Sequence, residues 1–245
     1  MPDGLRQSLE MVLHTIFPPR CICCGAAVSS DFGLCGPCWR ETHFITGCQC
    51  EACGAPLPGA AEAKVLCDDC LASPRPWLRG RAAFTYEGTG RQLVLAFKYA
   101  DRLDLVQPLG EMLARTAAPL ISPGMVVAPV PLHRLRLVKR MYNQSALLAQ
   151  SMARRVRLPC LPDLFERKRA TRSQEGLNRA AREANLEGAI RLRPKYAERI
   201  RGRPLLIVDD VMTSGATLAA CEEAARAAGS GPVSVVVLAR VAKDG

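Results

Sequence analysis

Asp209 and Asp210, with Thr213, Ser214, Gly215, Ala216 and Thr217 close behind them, are the residues of this chain whose types and spacing most directly suggest chemistry. They follow Leu205-Leu206-Ile207-Val208, a short uninterrupted apolar run of the kind that forms a buried strand. Two adjacent carboxylates would repel a phosphate, but they suit hydrogen bonding to a pair of vicinal sugar hydroxyls. The hydroxyl- and glycine-bearing turn after them leads into an Ala-rich helix. Successive backbone N–H groups at such a helix start are suited to a phosphate monoester. Carboxylates for a ribose and a nest for its 5′-phosphate, a few residues apart, describe a ribose-5-phosphate pocket at the carboxyl end of a strand, where open α/β sheets bind ligands.

The second constellation is made of cysteines. Ten of the twelve lie between Cys21 and Cys70. Cys21, Cys24, Cys35 and Cys38 form one C-x2-C…C-x2-C set, and Cys50, Cys53, Cys67 and Cys70 form another. Paired thiolates from two turns give zinc the four soft tetrahedral ligands it prefers, and a closed four-sulfur site leaves no position for substrate. Two structural zinc ions are therefore expected. Gly25 and Gly54 follow the leading pairs, where a tight turn needs positive φ and aims backbone N–H groups at sulfur. Cys23 and Cys48 adjoin the pairs and could substitute as ligands or stand as free thiols. Cys160 and Cys221 read as core cysteines, and no histidine has a partner at ligand spacing.

These residues need elements to position them. From Arg81 onward, apolar runs alternate with amphipathic stretches. Strands are expected at Ala82–Tyr86, Met125–Val130, Leu205–Val208 and Val233–Ala239, and helices at Arg91–Tyr99, Leu105–Ala117, Asn143–Arg157 and Ala216–Ala228. Buried strands alternating with helices predict an α/β fold with a parallel sheet covered on both faces. The expected organisation is an amphipathic helix within residues 1–20, a double zinc ribbon over 21–77, and an α/β domain over 78–245. Ser73-Pro74-Arg75-Pro76 would be the joint between the last two. Leu5, Leu9, Val12, Leu13 and Ile16 place one apolar face on the first helix. Asp3, Arg6 and Glu10 interrupt it too early for a signal peptide. With no apolar run of about 20 residues, a cytoplasmic protein without a membrane span is expected.

The formal charge of +10 is concentrated. Residues 133–182 hold thirteen Arg and Lys against three acids, and the remainder of the chain is neutral. Such a stretch points to a polyanion, either a phosphate ester or nucleic acid. Aromatics make up only 5% of residues, which argues against base stacking as the main contact.

The run Leu205–Thr217 resembles the signature of type I phosphoribosyltransferases. With the cysteine ribbons in front of it, the chain resembles the ComF family over nearly its whole length. Segments sharing that likeness are Tyr86-Glu87-Gly88, Lys98-Tyr99, Pro129–Leu132, Lys139–Gln144 and Arg172–Asn185. Met141, Tyr142 and Ser214 depart from the Gly, Phe and Thr more usual there. The resemblance implies a phosphoribosyltransferase-type I fold that takes phosphoribosyl pyrophosphate with Mg2+. It implies Asp209 and Asp210 as the catalytic-site acids, Thr213–Thr217 as the phosphate loop, and Val130–Arg134, including Arg134, as the pyrophosphate loop. Arg167–Arg172 would be a flap or polyanion contact. Natural competence, with single-stranded DNA and competence-machinery proteins as partners, is the implied setting. Two readings stay open: a DNA-uptake protein with phosphoribosyl pyrophosphate as its ligand, or a phosphoribosyltransferase acting on a small acceptor with no DNA role.

Overall fold

Segments rich in Val, Leu, Ile and Ala make the strands. In chain order these are β1 (Arg79–Thr85), β2 (Val126–Pro129), β3 (Phe165–Arg167), β4 (Ile190–Leu192), β5 (Leu205–Met212) and β6 (Val233–Arg240). The computed structural model describes residues 17–59, 64–99, 102–132, 142–168 and 188–241. Four strands form one wholly parallel sheet in the order β1-β6-β5-β2, and β3 pairs with β4 antiparallel in a small second sheet. The register places Ala82 beside Val237, Val208 beside Val236 and Val126 beside Leu205.

Side chains of a strand alternate between faces, and here both faces are buried. On one face Ala83, Val127, Leu206, Val208, Val236 and Leu238 join a single apolar cluster. The ribbon helices α1 (Gly36–Glu41) and α2 (Asp68–Ala72) come first in the chain, followed by α3 (Gly88–Tyr99), α4 (Val106–Ala117) and α5 (Gln144–Arg155). Leu93, Val94 and Phe97 of α3, Leu109 and Leu113 of α4, and Leu148 and Met152 of α5 complete that cluster. The opposite face, with Ala82, Val126, Ala128, Leu205, Ile207, Val235 and Val237, is covered partly by Leu218, Cys221 and Ala225. These lie on α7 (Ala216–Ala227), which follows the one-turn helix α6 (Ala197–Ile200).

More of that second face is covered by the cysteine region, and by Leu164, Phe165, Ile190 and Ile200 in and around β3, β4 and α6. Cys50, Cys53, Cys70 and Trp77 belong to the same cluster as the sheet residues. The Trp77 indole N–H donates to the Ala52 carbonyl, 2.6 Å away, and Glu51 pairs with both Arg79 and Arg81 of β1. The second ribbon is thus built onto the sheet, and the joint Ser73–Pro76 leads directly into the buried Trp77. That residue buries a large apolar surface while its polar edge finds a partner.

The expected elements correspond to β1, α3, α4, β2, α5, β5, α7 and β6, with ends moved by a few residues. The largest shift concerns β5, which runs four residues past Val208, so Asp209 and Asp210 lie inside the strand. The three-residue strands β3 and β4 are too short to show a period in the sequence. Residues 1–16 of the N-terminal helix, Arg134, Lys139–Met141 and the basic run 169–185 lie outside the described residues.

Candidate functional site

The two cysteine sets come together as spaced. In each, the four sulfurs lie within 4.8 Å of one another. Cys24 Sγ is 3.5 Å from Cys35 Sγ, and Cys53 Sγ is 3.7 Å from Cys67 Sγ. A tetrahedron of sulfurs around zinc has edges of about 3.8 Å, given a Zn–S bond of about 2.3 Å. The residues therefore fit that ion. Local structure explains the geometry. Cys35 and Cys67 sit at the N-caps of α1 and α2, which puts Cys38 and Cys70 one helical turn on and on the same side. In the leading turns, Gly25 and Gly54 take φ of 77° and 68°. The amides of Cys23 and Cys24 then point at the Cys21 sulfur, and those of Ala52 and Cys53 at the Cys50 sulfur. A hydrogen bond from Cys53 and those amides bring the Cys50 thiol down to about 4, while the contact with Cys50, and burial, push Cys53 up. Four thiolates so close need a cation before all can ionise. Cys23 and Cys48 lie outside both groups, and the Cys23 thiol donates to Gln92 Oε1 at 3.3 Å.

The second site lies at the carboxyl edge of the main sheet, where a cavity of about 390 Å3 opens. Residues following three strand ends meet there: Tyr86 after β1, Val130, Pro131 and Leu132 after β2, and Met212 and Thr213 at the end of β5. Lys98 from the end of α3, Gln144 and Ser145 from the start of α5, Arg167 from β3, and Gly215–Leu218 at the start of α7 also line it.

Asp209 and Asp210 form the floor. Lys98 Nζ lies 3.0 Å from Asp210 Oδ1. Asp209 Oδ1 accepts from Ser145 Oγ at 2.9 Å and from the Asp210 N–H at 2.8 Å. Burial, reinforced by the neighbouring Asp210 charge, pushes the Asp209 carboxyl up to about 7 against the pull of Lys98 and these hydrogen bonds. Burial works against the Lys98 charge as well, but the two aspartates outweigh it and hold the ammonium above its ordinary range. The floor therefore carries one firm ion pair and one carboxyl poised to ionise near neutrality. Above it, Gly215 takes φ of 83° at the N-cap of α7, a conformation that favours glycine. The Ala216 N–H points back at Ser214 Oγ, 3.4 Å away.

The structure brings Asp209, Asp210, Thr213, Gly215, Ala216 and Thr217 to one cavity, while Ser214 is not in its lining. Arg134 lies outside the described residues. Sequence reasoning missed Lys98 and Ser145 as site residues, and named Arg167 only as part of a flap or polyanion contact, whereas it lines the cavity. Lys98 and Arg167 stood within named segments, but no spacing pattern tied them to Asp209 and Asp210.

The raised Asp209 carboxyl has a consequence for stability. Its ordinary value is 3.8 and its value in the fold is about 7. The fold binds this proton more tightly than the unfolded chain, so stability falls as pH rises from 3.8 toward 7 and levels off above. Asp209→Asn removes the charged form. Its melting temperature is expected to match that of the wild type near pH 4 and to exceed it increasingly up to pH 8. Melts showing a difference independent of pH would contradict this assignment.

Comparison with known proteins follows the same two-part layout. A family model described as the double zinc ribbon domain matches residues 12–71. The chain is 32% identical over 215 residues to the DNA utilization protein YhgH of Escherichia coli (strain K12), covering 85% of this chain and 91% of that protein. It is 30% identical over 235 residues to competence protein F of Haemophilus influenzae, covering 93% and 100%. To competence protein ComFC of Bacillus subtilis it is 23% identical over 195 residues, covering 77% and 75%. Among solved structures, a hypoxanthine phosphoribosyltransferase from Staphylococcus aureus overlays with a TM-score of 0.37 at 15% identity, covering 58% of this chain and 70% of that one. That likeness is too loose to bear on function. Among the described residues, no helix is long and apolar enough to cross a membrane.

Proposed function

This chain belongs to the ComF family of competence proteins, and from that premise we propose that it binds phosphoribosyl pyrophosphate in the cavity at the end of β5 and acts in DNA uptake in the cytoplasm. One observation carries the reading: Asp209 and Asp210 share a single cavity with Thr213, Gly215, Ala216 and Thr217 at the start of α7. The carboxylates accept hydrogen bonds from the ribose hydroxyls. The loop amides and the positive end of the helix hold the 5′-phosphate. Lys98 limits the repulsion between the acid pair and the anionic ligand by neutralising Asp210. Magnesium, when bound with the pyrophosphate, would neutralise part of the charge on that group.

Whether pentosyl transfer follows depends on an acceptor. In such a transfer the bond from ribose C1 to pyrophosphate breaks as the acceptor's lone pair forms a new one, and the basic residues around the cavity stabilise the departing anion. No nucleophile of the protein's own is needed. The names of the relatives, which speak of competence and DNA utilization, favour the DNA-uptake setting over a role confined to a small acceptor.

Two measurements test the proposal. Phosphoribosyl pyrophosphate with magnesium should raise the melting temperature with its concentration and slow amide exchange in Thr213–Thr217. No shift at millimolar ligand would remove the ligand reading. Single-stranded DNA affinity should fall steeply with salt, and changing Arg167, Lys168, Arg169 and Arg172 to Ala should flatten that slope, since each lost phosphate contact removes released counterions. An unchanged slope, together with pyrophosphate release in a screen of small acceptors, would favour the enzyme without a DNA role.

A further inference from the structure

The segment Met212–Gly215 is held from behind by two guanidinium groups, neither of which lines the cavity. Arg240, the last residue of β6 and almost fully buried, donates from Nη1 to the carbonyls of Met212 at 3.2 Å and Thr213 at 2.9 Å. Arg75 Nη1 donates to the next carbonyl, that of Ser214. In a trans peptide the C=O and the following N–H point in opposite directions. Fixing these three carbonyls toward the arginines turns the amides of Thr213, Ser214 and Gly215 the other way.

Arg75 and its neighbour Trp77 are in turn fixed by the second cysteine site. Arg75 Nε donates to Cys70 Sγ at 3.4 Å, so one guanidinium spans a ligand sulfur and the loop. It also lies over the Trp77 ring, 5.7 Å from the centroid. The Trp77 N–H is held by Ala52, which sits between Cys50 and Cys53. Its ring supports Gly215 so closely that a Cβ there would come within 2.9 Å of Cη2 and 3.2 Å of Arg75 Nη1.

We propose that Arg75 and Trp77 are positioning residues for the phosphate loop, and that the second four-cysteine site acts through them as the foundation of the ligand pocket. The proposal rests on reading Thr213–Thr217 as a phosphate site. It gives the two metal sites different tasks, because Cys70 and Ala52 of the second reach the loop through Arg75 and Trp77. Arg75 is the sharper probe because only a fork of N–H groups reaches sulfur and carbonyl at once. A lysine keeps the charge but offers a single point donor.

The test compares wild type, Arg75→Ala, Arg75→Lys and Cys24→Ser. Zinc content, ligand-free melting temperature, loop amide exchange, and affinity for phosphoribosyl pyrophosphate with magnesium are measured on the same preparations. Both Arg75 variants should keep their zinc and melt close to the wild type. They should exchange the Ser214–Thr217 amides faster and bind about tenfold more weakly, the cost of one charge-assisted hydrogen bond. Cys24→Ser should lose one zinc with affinity unchanged. Wild-type affinity in either Arg75 variant would overturn the proposal, and so would exchange as slow as in the wild type. Weakening by Cys24→Ser equal to that of Arg75→Ala would also overturn it. If the wild type itself does not bind, the phosphate reading fails, and loop exchange in Arg75→Ala still decides whether the arginine holds the loop.

Discussion

Replacing Cys50 by Ser is expected to halve the zinc content, from two per chain to one, and to unfold the α/β domain along with the ribbon. Structural zinc contributes about 10 kcal/mol or more in small zinc modules, which is comparable to the roughly 5–15 kcal/mol that holds a whole domain together. The coupling follows from packing. Cys50 and Cys53 are fully buried, Cys70 is 1% exposed, and all three lie in one cluster with Leu205, Ile207, Val235 and Val237 of the sheet. Loss of the metal leaves unpaired thiols against that face and removes the support of Trp77. In the first site Cys24 is exposed, so Cys24→Ser should lower zinc equally but cost far less stability. Metal analysis with circular dichroism at both far- and near-ultraviolet wavelengths checks this. A Cys50→Ser protein with one zinc and a native near-ultraviolet spectrum would show that the second ribbon is a dispensable appendage.

The Asp209→Asn/Asp210→Asn double variant should lose phosphoribosyl pyrophosphate affinity by about a hundredfold. A hydrogen bond to a charged group contributes about 1.5–3 kcal/mol against about 0.5–1.5 for a neutral one, so neutralising both acceptors costs about 2–3 kcal/mol; each 1.4 kcal/mol is about tenfold in affinity. The two positions will differ in their effect on the free protein. Asp209 is held partly neutral by its surroundings, so Asn is close to its protonated form and should be tolerated. Asp210 is 8% exposed and carries the counter-ion of Lys98. Asp210→Asn alone should therefore lower the melting temperature by leaving a largely buried ammonium without its partner. Calorimetric titration of folded single and double variants separates these effects. Ligand affinity equal to that of the wild type in the double variant would mean that the acid pair does not touch the ribose.

The parts legible in the sequence were those set by local rules. The cysteine spacing picked out the eight residues whose sulfurs the fold gathers into two groups of four, because a C-x2-C turn brings its two sulfurs together locally. The run Leu205–Thr217 announced strand, acids and loop because a doubly buried strand must be apolar throughout, and the glycine of a left-handed N-cap stands out. Continuous apolar runs separated by amphipathic ones were enough for a parallel sheet with both faces covered.

What the tertiary structure decided were relations between distant segments. Lys98 and Asp210 are separated by more than a hundred residues, as are Arg75 and Ser214, and no period or motif links such pairs. The sheet order β1-β6-β5-β2 places β5 inside the sheet, and the α3 end then reaches across to its acids. The state of Asp209 could not be read from its type, since its carboxyl is shifted by burial and by a neighbouring charge, both products of the assembled fold. The role of the proline-rich segment was decided in the same way. Its composition reads as a joint, and only the fold shows that Trp77, just after it, is buried in one cluster with the second cysteine site and the sheet.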